Sequence, residues 1–552
     1  MFKKHPKALP FLFFSEMWER FGYYLMIGIF TLYLKNVTDG FAMKEAEASD
    51  LYGTFIGLVF LTPFLGGLLA DRYLGYRKSI IMGGLMMGVG YCLMMVHDIN
   101  VLYVAMTLVI LGNGFFKPNI STLLGNVYTT PQYQHQKDDG YNIFYMGINI
   151  GAFICNFVSA VLLTAYGWGY AFLSAGIGMF LGVIIFLAGT KHYKAYDIKK
   201  GVNENDMSMS RIVLLILVPA LVFGLIGWFI KGITSDANPN GNLLGTDSTD
   251  AFIFACIPVI YFYASLYFKA KTEEKRPIAA LLAIFAVVIL FWAVFKQNGS
   301  ALNTWADRYT NREVSGTAGD VFDKLLFSQK LAYKKDSVAL YDDQFRLQKE
   351  DDKVLKEYNY PTYFRNIPED RKPADGNEVS LWATNLSQSI NPGWVILLTP
   401  LIVAFFAFLR RRNNEPTTAT KIAFGLLISA LSALVMVAAV YASNNGGEKA
   451  SVLWLISSYG VITIGELLLS PMGLSIVSKL SPVRITSLMM GGWFLSTSIG
   501  NKLSGVLATM WDQYTNKANF FLLNFMLLLF AAIVCFAMLR WLNRIMAEKG
   551  LK

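Results

Sequence analysis

The sequence predicts an all-α protein that crosses a membrane many times, and three observations carry that expectation. Of 552 residues, 54% are hydrophobic, 14% aromatic and only 16% charged, with a mean hydropathy of +0.43. A water-facing surface cannot be built from that balance. Apolar runs of about 20 residues, the length that crosses a hydrocarbon core as a helix, recur along the chain. Lys and Arg gather in alternate connections, as they do in a polytopic chain. The net charge of +10 is therefore assigned to topology, and no nucleic-acid partner is expected.

The runs fall near 10–35, 51–70, 79–97, 101–124, 141–165, 169–190, 211–231, 251–269, 278–300, 392–410, 421–442, 451–478, 487–510 and 519–541. Fourteen spans, an even number, put both termini on one face. The basic stretches "KKHPK", "DRYLGYRK", "KHYKAYDIKK", "KAKTEEKR", "RRRNNEPTTATK" and the tail from Arg540 share that face, which the positive-inside rule makes cytoplasmic. The opposite connections are poor in Lys and Arg except for a charged outward stretch at about 310–385. Its scattered aromatics and helix-forming middle favour partial structure; a mobile loop is the alternative. The spans divide as six, two and six: an N-terminal six-helix bundle at 1–195, a linker with two additional helices at 196–276, and a C-terminal six-helix bundle at 277–552. The start, "MFKKHPKALP", runs into the first span without an A-x-A-like site, so a retained span is expected rather than a cleaved signal peptide.

Cys92, Cys155, Cys256 and Cys535 all lie in apolar stretches, so neither a disulfide framework nor a zinc site is expected. The four histidines lie at the terminus or near span ends, which leaves intramembrane proton chemistry to carboxylates. No nucleophile–base motif or metal-ligand cluster points to an enzyme, and no cofactor or obligate protein partner is implied. Membrane lipids are the expected surroundings.

The first span carries "SEMWERFGYYLM" at 15–26. An ionisable group at mid-bilayer costs roughly 2.5 to 3.5 kcal/mol on insertion scales, and such groups usually face a cavity and a partner. At about 100° per residue, Glu16, Glu19, Arg20, Tyr23 and Tyr24 share an arc of roughly 140°. The structural alternative, a neutral Glu16–Arg20 pair at i,i+4, leaves Glu19 and the paired tyrosines without a reason. Lys117 lies well inside the fourth span, where a snorkelling stem does not readily reach an interface; it is expected to face the cavity. Glu466 is followed one turn later by Ser470 and then Pro471, which permits a bend; the alternative is an acid satisfied by Ser470 or a backbone donor. For Lys502 a structural tie to a backbone carbonyl is expected.

Two six-helix halves joined by a linker resemble the major facilitator superfamily, whose substrate site lies near mid-membrane between the halves. "GGLLADRYLGYRK" at 66–78 supports this: its glycines allow close helix packing, and Asp71 and Arg72 belong to a charge cluster at a tight turn, read as structural gating. E-x-x-E-R-F-x-Y-Y, as Glu16, Glu19, Arg20, Phe21, Tyr23 and Tyr24, resembles the first-helix signature of the proton-dependent oligopeptide transporters. "HPKAL", "GNGFFKPNIS", "FYMGINIGA", "FWAVFKQNGS", "SINPG", "GELLLSPMGLS" and "MGGWFLSTSIGN" are similar to that family across nearly the whole chain. The fourteen-span plan is similar to bacterial members, which implies a multi-pass protein of the cell membrane, the bacterial inner membrane.

The resemblance implies proton-coupled symport of di- and tripeptides by alternating access. It implies proton coupling by Glu16, Glu19, Arg20, Lys117 and Glu466, with Lys117 pairing Glu19 when the proton is absent. Arg20, Tyr24 and Lys117 would hold the peptide carboxylate, and Glu466, helped by Asn149 and Asn391, its α-ammonium. Tyr23, Trp292, Ser470 and Trp493 would complete the substrate site, with Phe60 as a further pocket wall. Three positions depart from the family. Ile27 stands where an Arg is common and Lys296 where an acid is common, which removes a pair across the outer gate; Phe60 replaces a common Tyr. Rival readings are another small anionic or peptide-like substrate in the same fold, and a sensor binding peptide through 310–385. The intact first-helix signature with Glu466 favours peptides, and the intramembrane charges argue against a sensor.

Overall fold

The computed structural model describes residues 5–133, 137–197, 213–232, 234, 241–351, 353–482 and 486–548. Six long helices come first: α1 Leu9–Lys35, α2 Glu45–Leu69, α3 Tyr76–Leu93, α4 Ile99–Val127, α5 Lys137–Tyr166 and α6 Trp168–Ala188. A hairpin of α7 Val218–Phe229 and α8 Asp247–Lys269 follows, then α9 Thr272–Phe295. Short α10 Ala301–Arg308 and α11 Gly316–Lys324 precede α12 Ile390–Arg411, α13 Thr418–Ala442, α14 Val452–Leu480, α15 Thr486–Thr509 and α16 Lys517–Glu548. Helix starts are set by local chemistry: Asp98 accepts the N–H groups of Asn100 and Val101 at 2.8 and 3.0 Å to open α4, and Thr246 accepts that of Thr249 to open α8.

Among the described residues, ten helices are long and apolar enough to cross a membrane: α2, α4–α6, α8, α9, α12–α14 and α16. The chain is thus a multi-pass membrane protein. Three further helices have the length but a more polar face; α1 carries Glu16, Glu19 and Arg20, and α15 carries Lys502. The expected span at 211–231 begins outside the described residues, and its apolar helix covers Val213–Phe229. Apolar packing forms two large cores. One unites α1–α6 around Phe30, Phe55 and Phe116, the other α9–α16 around Phe291, Trp305 and Trp511. The α7–α8 hairpin packs on itself, and α8 leans on α2 and α15.

Glycine permits the tightest crossings in the first core. A Cβ on Gly66 would lie 2.0 Å from the Gly114 carbonyl oxygen, so α2 and α4 touch backbone to backbone. Gly75 adopts φ +81°, a region open to glycine, and turns the chain into α3, whose first N–H groups, of Tyr76 and Arg77, donate to Asp197 at 2.7 and 3.3 Å. The side chains of Asp71 and Arg72 lie outside the described residues.

The charged stretch near 310–385 is folded, and its middle is strand rather than helix. β1 Ser328–Ala332 pairs antiparallel with β6 Glu378–Trp382, β2 Asp336–Ala339 with β5 Lys356–Asn359, and β3 Lys349–Glu350 with β4 Lys353–Val354. Cross-strand pairing overrides the helical preference of its Lys, Glu and Leu residues. Tyr333, Tyr363, Phe364 and Leu381 form a small core of their own, while Phe345 and Trp382 enter the larger C-terminal core.

Bonds between the two halves cluster at the end of the bundle next to this segment. Lys35 and Arg308 both reach Glu45, at 3.1 and 3.5 Å, and Thr304 donates to Glu45 at 2.7 Å. Thr31 donates to the Gly299 carbonyl, Asn385 to the Asn156 carbonyl and Ser159, and Ser389 to the Phe153 carbonyl. Lys502 is tied to a carboxylate rather than to a backbone carbonyl: its ammonium bonds Asp50 at 2.6 Å, with Thr54 and Ser248 beside it. A carboxylate compensates a fully buried ammonium better than a carbonyl dipole does, and Asp50, 452 residues away in sequence, is what α2 brings there.

Candidate functional site

The polar face of α1 is buried in the space between the halves: Glu19 is 0% exposed, Glu16 2% and Arg20 3%. Arg20 grips Glu19 through two bonds, Nε to Oε2 and Nη2 to Oε1, the latter at 2.7 Å. It also lies 3.3 Å from Glu16 Oε1, and its Nη2 donates to Asn113 Oδ1 at 3.4 Å. The fork-shaped guanidinium satisfies both oxygens of Glu19 and lies beside Glu16, whose Oε2 is buried with no hydrogen-bond partner among the described residues. The guanidinium sits 5.1 Å from the Tyr23 ring, and Tyr23 meets Tyr24 edge-on at 5.3 Å.

Lys117 projects from α4 into the same space. Glu19 is held by Arg20, and among the described residues Lys117 forms no ion pair; its ammonium stands 3.9 Å from the Phe60 ring centroid. From the C-terminal half Lys296, 8% exposed at the end of α9, points to the same ring at 5.5 Å, with Trp292 and Phe295 at 5.8 and 5.6 Å.

Glu466 projects from α14 toward α1. Asn391 Nδ2 donates to it at 3.1 Å and to Thr463 at 2.8 Å, so the carboxylate is oriented by an amide rather than neutralised by a cation. Tyr24 lies within electrostatic reach of both Arg20 and Glu466, and Lys296 of both as well, so the two sets form one charged cluster. Tyr145 is 43% exposed yet within reach of Glu466 and Tyr24, so its exposure is to this cavity. Asn149 sits one turn further along α5, its amide spent on the Tyr145 carbonyl.

The structure gathers Glu16, Glu19, Arg20, Tyr23, Tyr24, Phe60, Lys117, Trp292, Lys296, Asn391 and Glu466. Ser470 lies one turn beyond Glu466; its Oγ, Trp292 Nε1 and Tyr23 Oη are buried without a hydrogen-bond partner among the described residues. Trp493 is not brought to the cluster: it is 3% exposed in the C-terminal core, edge-on to Phe285. Asn113, in "GNGFFKPNIS", and Tyr145, in "FYMGINIGA", were not singled out from the sequence, although both stand inside quoted motifs. The Lys35–Glu45–Arg308 group and Asp50 had no sequence signal, since their partners are joined only by the fold. Among the described residues no group of three His, Cys, Asp or Glu side chains could hold a metal ion.

The model of the POT family matches residues 77–321 and 383–524. The chain belongs to the POT family. The strand-rich segment falls in the unmatched gap at 322–382. Curated relatives include the di-/tripeptide transporter of Lactococcus lactis subsp. lactis (strain IL1403), 28% identical over 94% of this chain and 91% of its own length. Another is the peptide transporter YePEPT of Yersinia enterocolitica, 29% identical over 91% of this chain and 87% of its own. Among solved structures, the peptide transporter POT in complex with sulfate superimposes with a TM-score of 0.74 at 26% identity, covering 99% of this chain and 96% of that one. The fold is accordingly of the major-facilitator type, and the protein is a transporter rather than an enzyme.

Proposed function

We propose that the protein imports di- and tripeptides together with protons, by alternating access, across the bacterial inner membrane. The observation that carries this is the polarity of the cavity. Arg20 and Lys117 stand on the N-terminal half, and Glu466, held by Asn391 and, among the described residues, paired with no Lys or Arg within 4.0 Å, stands on the C-terminal half. A zwitterion with an anion at one end and a cation at the other is the complement of that pair, and a ligand spanning both halves makes their relative position depend on its presence. The aromatic walls accept varied side chains at little energetic difference.

Proton coupling follows from the Glu19–Arg20 grip. While Glu19 is ionised it occupies the guanidinium fork; once protonated it loses its charge-assisted bonds, and Arg20, still beside Glu16, can turn that fork to the peptide carboxylate. Proton and peptide are thereby taken together. The bonds between halves cluster beside the strand-rich segment, while Tyr145 is exposed to the cavity; with the N-terminal face as the cytoplasmic one, this is an inward-facing state.

N-acetylation tests the assignment of Glu466. Removing one partner of a desolvated charge pair typically costs 2 to 5 kcal/mol, so N-acetyl-Ala-Ala is expected to compete with labelled Ala-Ala about 30-fold or more weakly than free Ala-Ala. Equal competition would remove Glu466 from ammonium recognition.

A further inference from the structure

Two ammonium groups from opposite halves converge on one phenyl ring, Lys117 at 3.9 Å and Lys296 at 5.5 Å from the Phe60 centroid. Neither forms an ion pair among the described residues. Other buried cations in this protein have closer partners: Arg20 takes Glu19, Lys35 takes Glu45 and Lys502 takes Asp50, while Lys517 donates to the Trp511 and Tyr514 carbonyls at 2.8 and 2.9 Å. A cation–π contact offsets part of the cost of desolvating an ammonium and a carboxylate offsets more of it. The aromatic face therefore does not replace the missing carboxylates.

A simple zwitterionic peptide does not supply them both. Its α-ammonium occupies Glu466, the carboxylate within electrostatic reach of Lys296, and so removes the charge that compensated that lysine. Its single α-carboxylate serves the Arg20 and Lys117 side. Glu16 remains on that side, beside Arg20 and within electrostatic reach of Lys117, so the ammonium left without an anion is that of Lys296. A second negative group on the ligand closes the balance, and Lys296, on the C-terminal half beside Trp292 and Phe295 while the peptide carboxylate is taken by Arg20 and Lys117 on the N-terminal half, puts that group on a side chain rather than on the backbone.

We propose that Lys117 and Lys296, on either side of Phe60, form a two-ammonium subsite that selects peptides bearing an Asp or Glu side chain. This rests on the peptide-transport reading above, and it names the preferred substrate class of that site.

Competition against labelled Ala-Ala uptake in proteoliposomes at pH 6.5 tests it, with Ala-Glu and its uncharged isostere Ala-Gln as competitors. In the wild type Ala-Glu is expected to compete about 10-fold more strongly than Ala-Gln, about 1.4 kcal/mol, and Ala-Lys more weakly than either. The Ala-Glu to Ala-Gln ratio is expected to fall to about 1 in Lys296→Gln, and in Lys296→Met should the first variant fail to fold, while Lys296→Arg keeps the preference. Equal competition by Ala-Glu and Ala-Gln in the wild type, or a preference that persists in the uncharged variants, would overturn the subsite. Failure of Ala-Ala itself to be taken up or to compete would overturn the transport reading instead, and the two outcomes are read from different lanes of one experiment.

Discussion

Glu19 and Arg20 are adjacent in sequence and locked together in the cavity, so substitution of either separates binding from coupling. Glu19→Gln keeps the shape and removes the carboxylate: gradient-driven accumulation of dipeptide is expected to vanish, while exchange of internal for external peptide, which needs no net proton movement, persists. Normal accumulation by this variant would move the coupling site elsewhere. At the end of the bundle beside the strand-rich segment, burial and the nearby Glu45 carboxylate push Asp512 up to about 6 from its ordinary 3.8. The folded protein therefore keeps a proton that the unfolded chain has released, and stability is lost as pH rises between those values. At about 1.4 kcal/mol per unit the whole shift is worth on the order of 3 kcal/mol. Asp512→Asn should raise the melting temperature at pH 7.5 and flatten its decline from pH 4 to pH 6; an unchanged profile would contradict the assignment. The α1 charges were legible because hydrocarbon makes each ionisable residue costly, so its presence is already a signal. Asp512 and Glu45 gave none, because acids near an interface are ordinary until folding surrounds them.

At the scale of elements, Lys502 and Asp50 fasten α15 to α2, and Thr246 and Ser248 at the start of α8 share the same carboxylate. One partner alone would be a buried uncompensated charge, at about 3 to 5 kcal/mol. Lys502→Met and Asp50→Asn are each expected to lower the melting temperature in detergent by several degrees, and the double variant to recover part of the loss; additive losses would show that the two groups are independent. The strand-rich segment holds none of the cavity residues but lends Phe345 and Trp382 to the C-terminal core. Replacing about 318–378 by a short Gly/Ser linker should leave proton-driven uptake measurable and lower the melting temperature. Complete loss of uptake by a folded deletion protein would make the segment part of the gate. The long helices follow from hydropathy, which is local. The strands of 328–382 do not, because their pairing joins residues with strong helical preference through contacts up to about fifty residues apart, as in Ser328 with Trp382.

For the whole molecule, two apolar cores meet along α2 and α15 and are clasped at one end, while the charged cavity lies between them. Alternating access requires the clasp of Lys35, Glu45, Arg308 and Thr304 to break as the opposite end closes, and a ligand joining Arg20 to Glu466 supplies differential binding for that change. Proton-coupled peptide import is tested most directly by labelled Ala-Ala uptake into proteoliposomes under an imposed pH gradient, acidic outside. Accumulation above the external concentration that collapses when a protonophore is added is the expected result. Uptake that depends on sodium and ignores the pH gradient would contradict it.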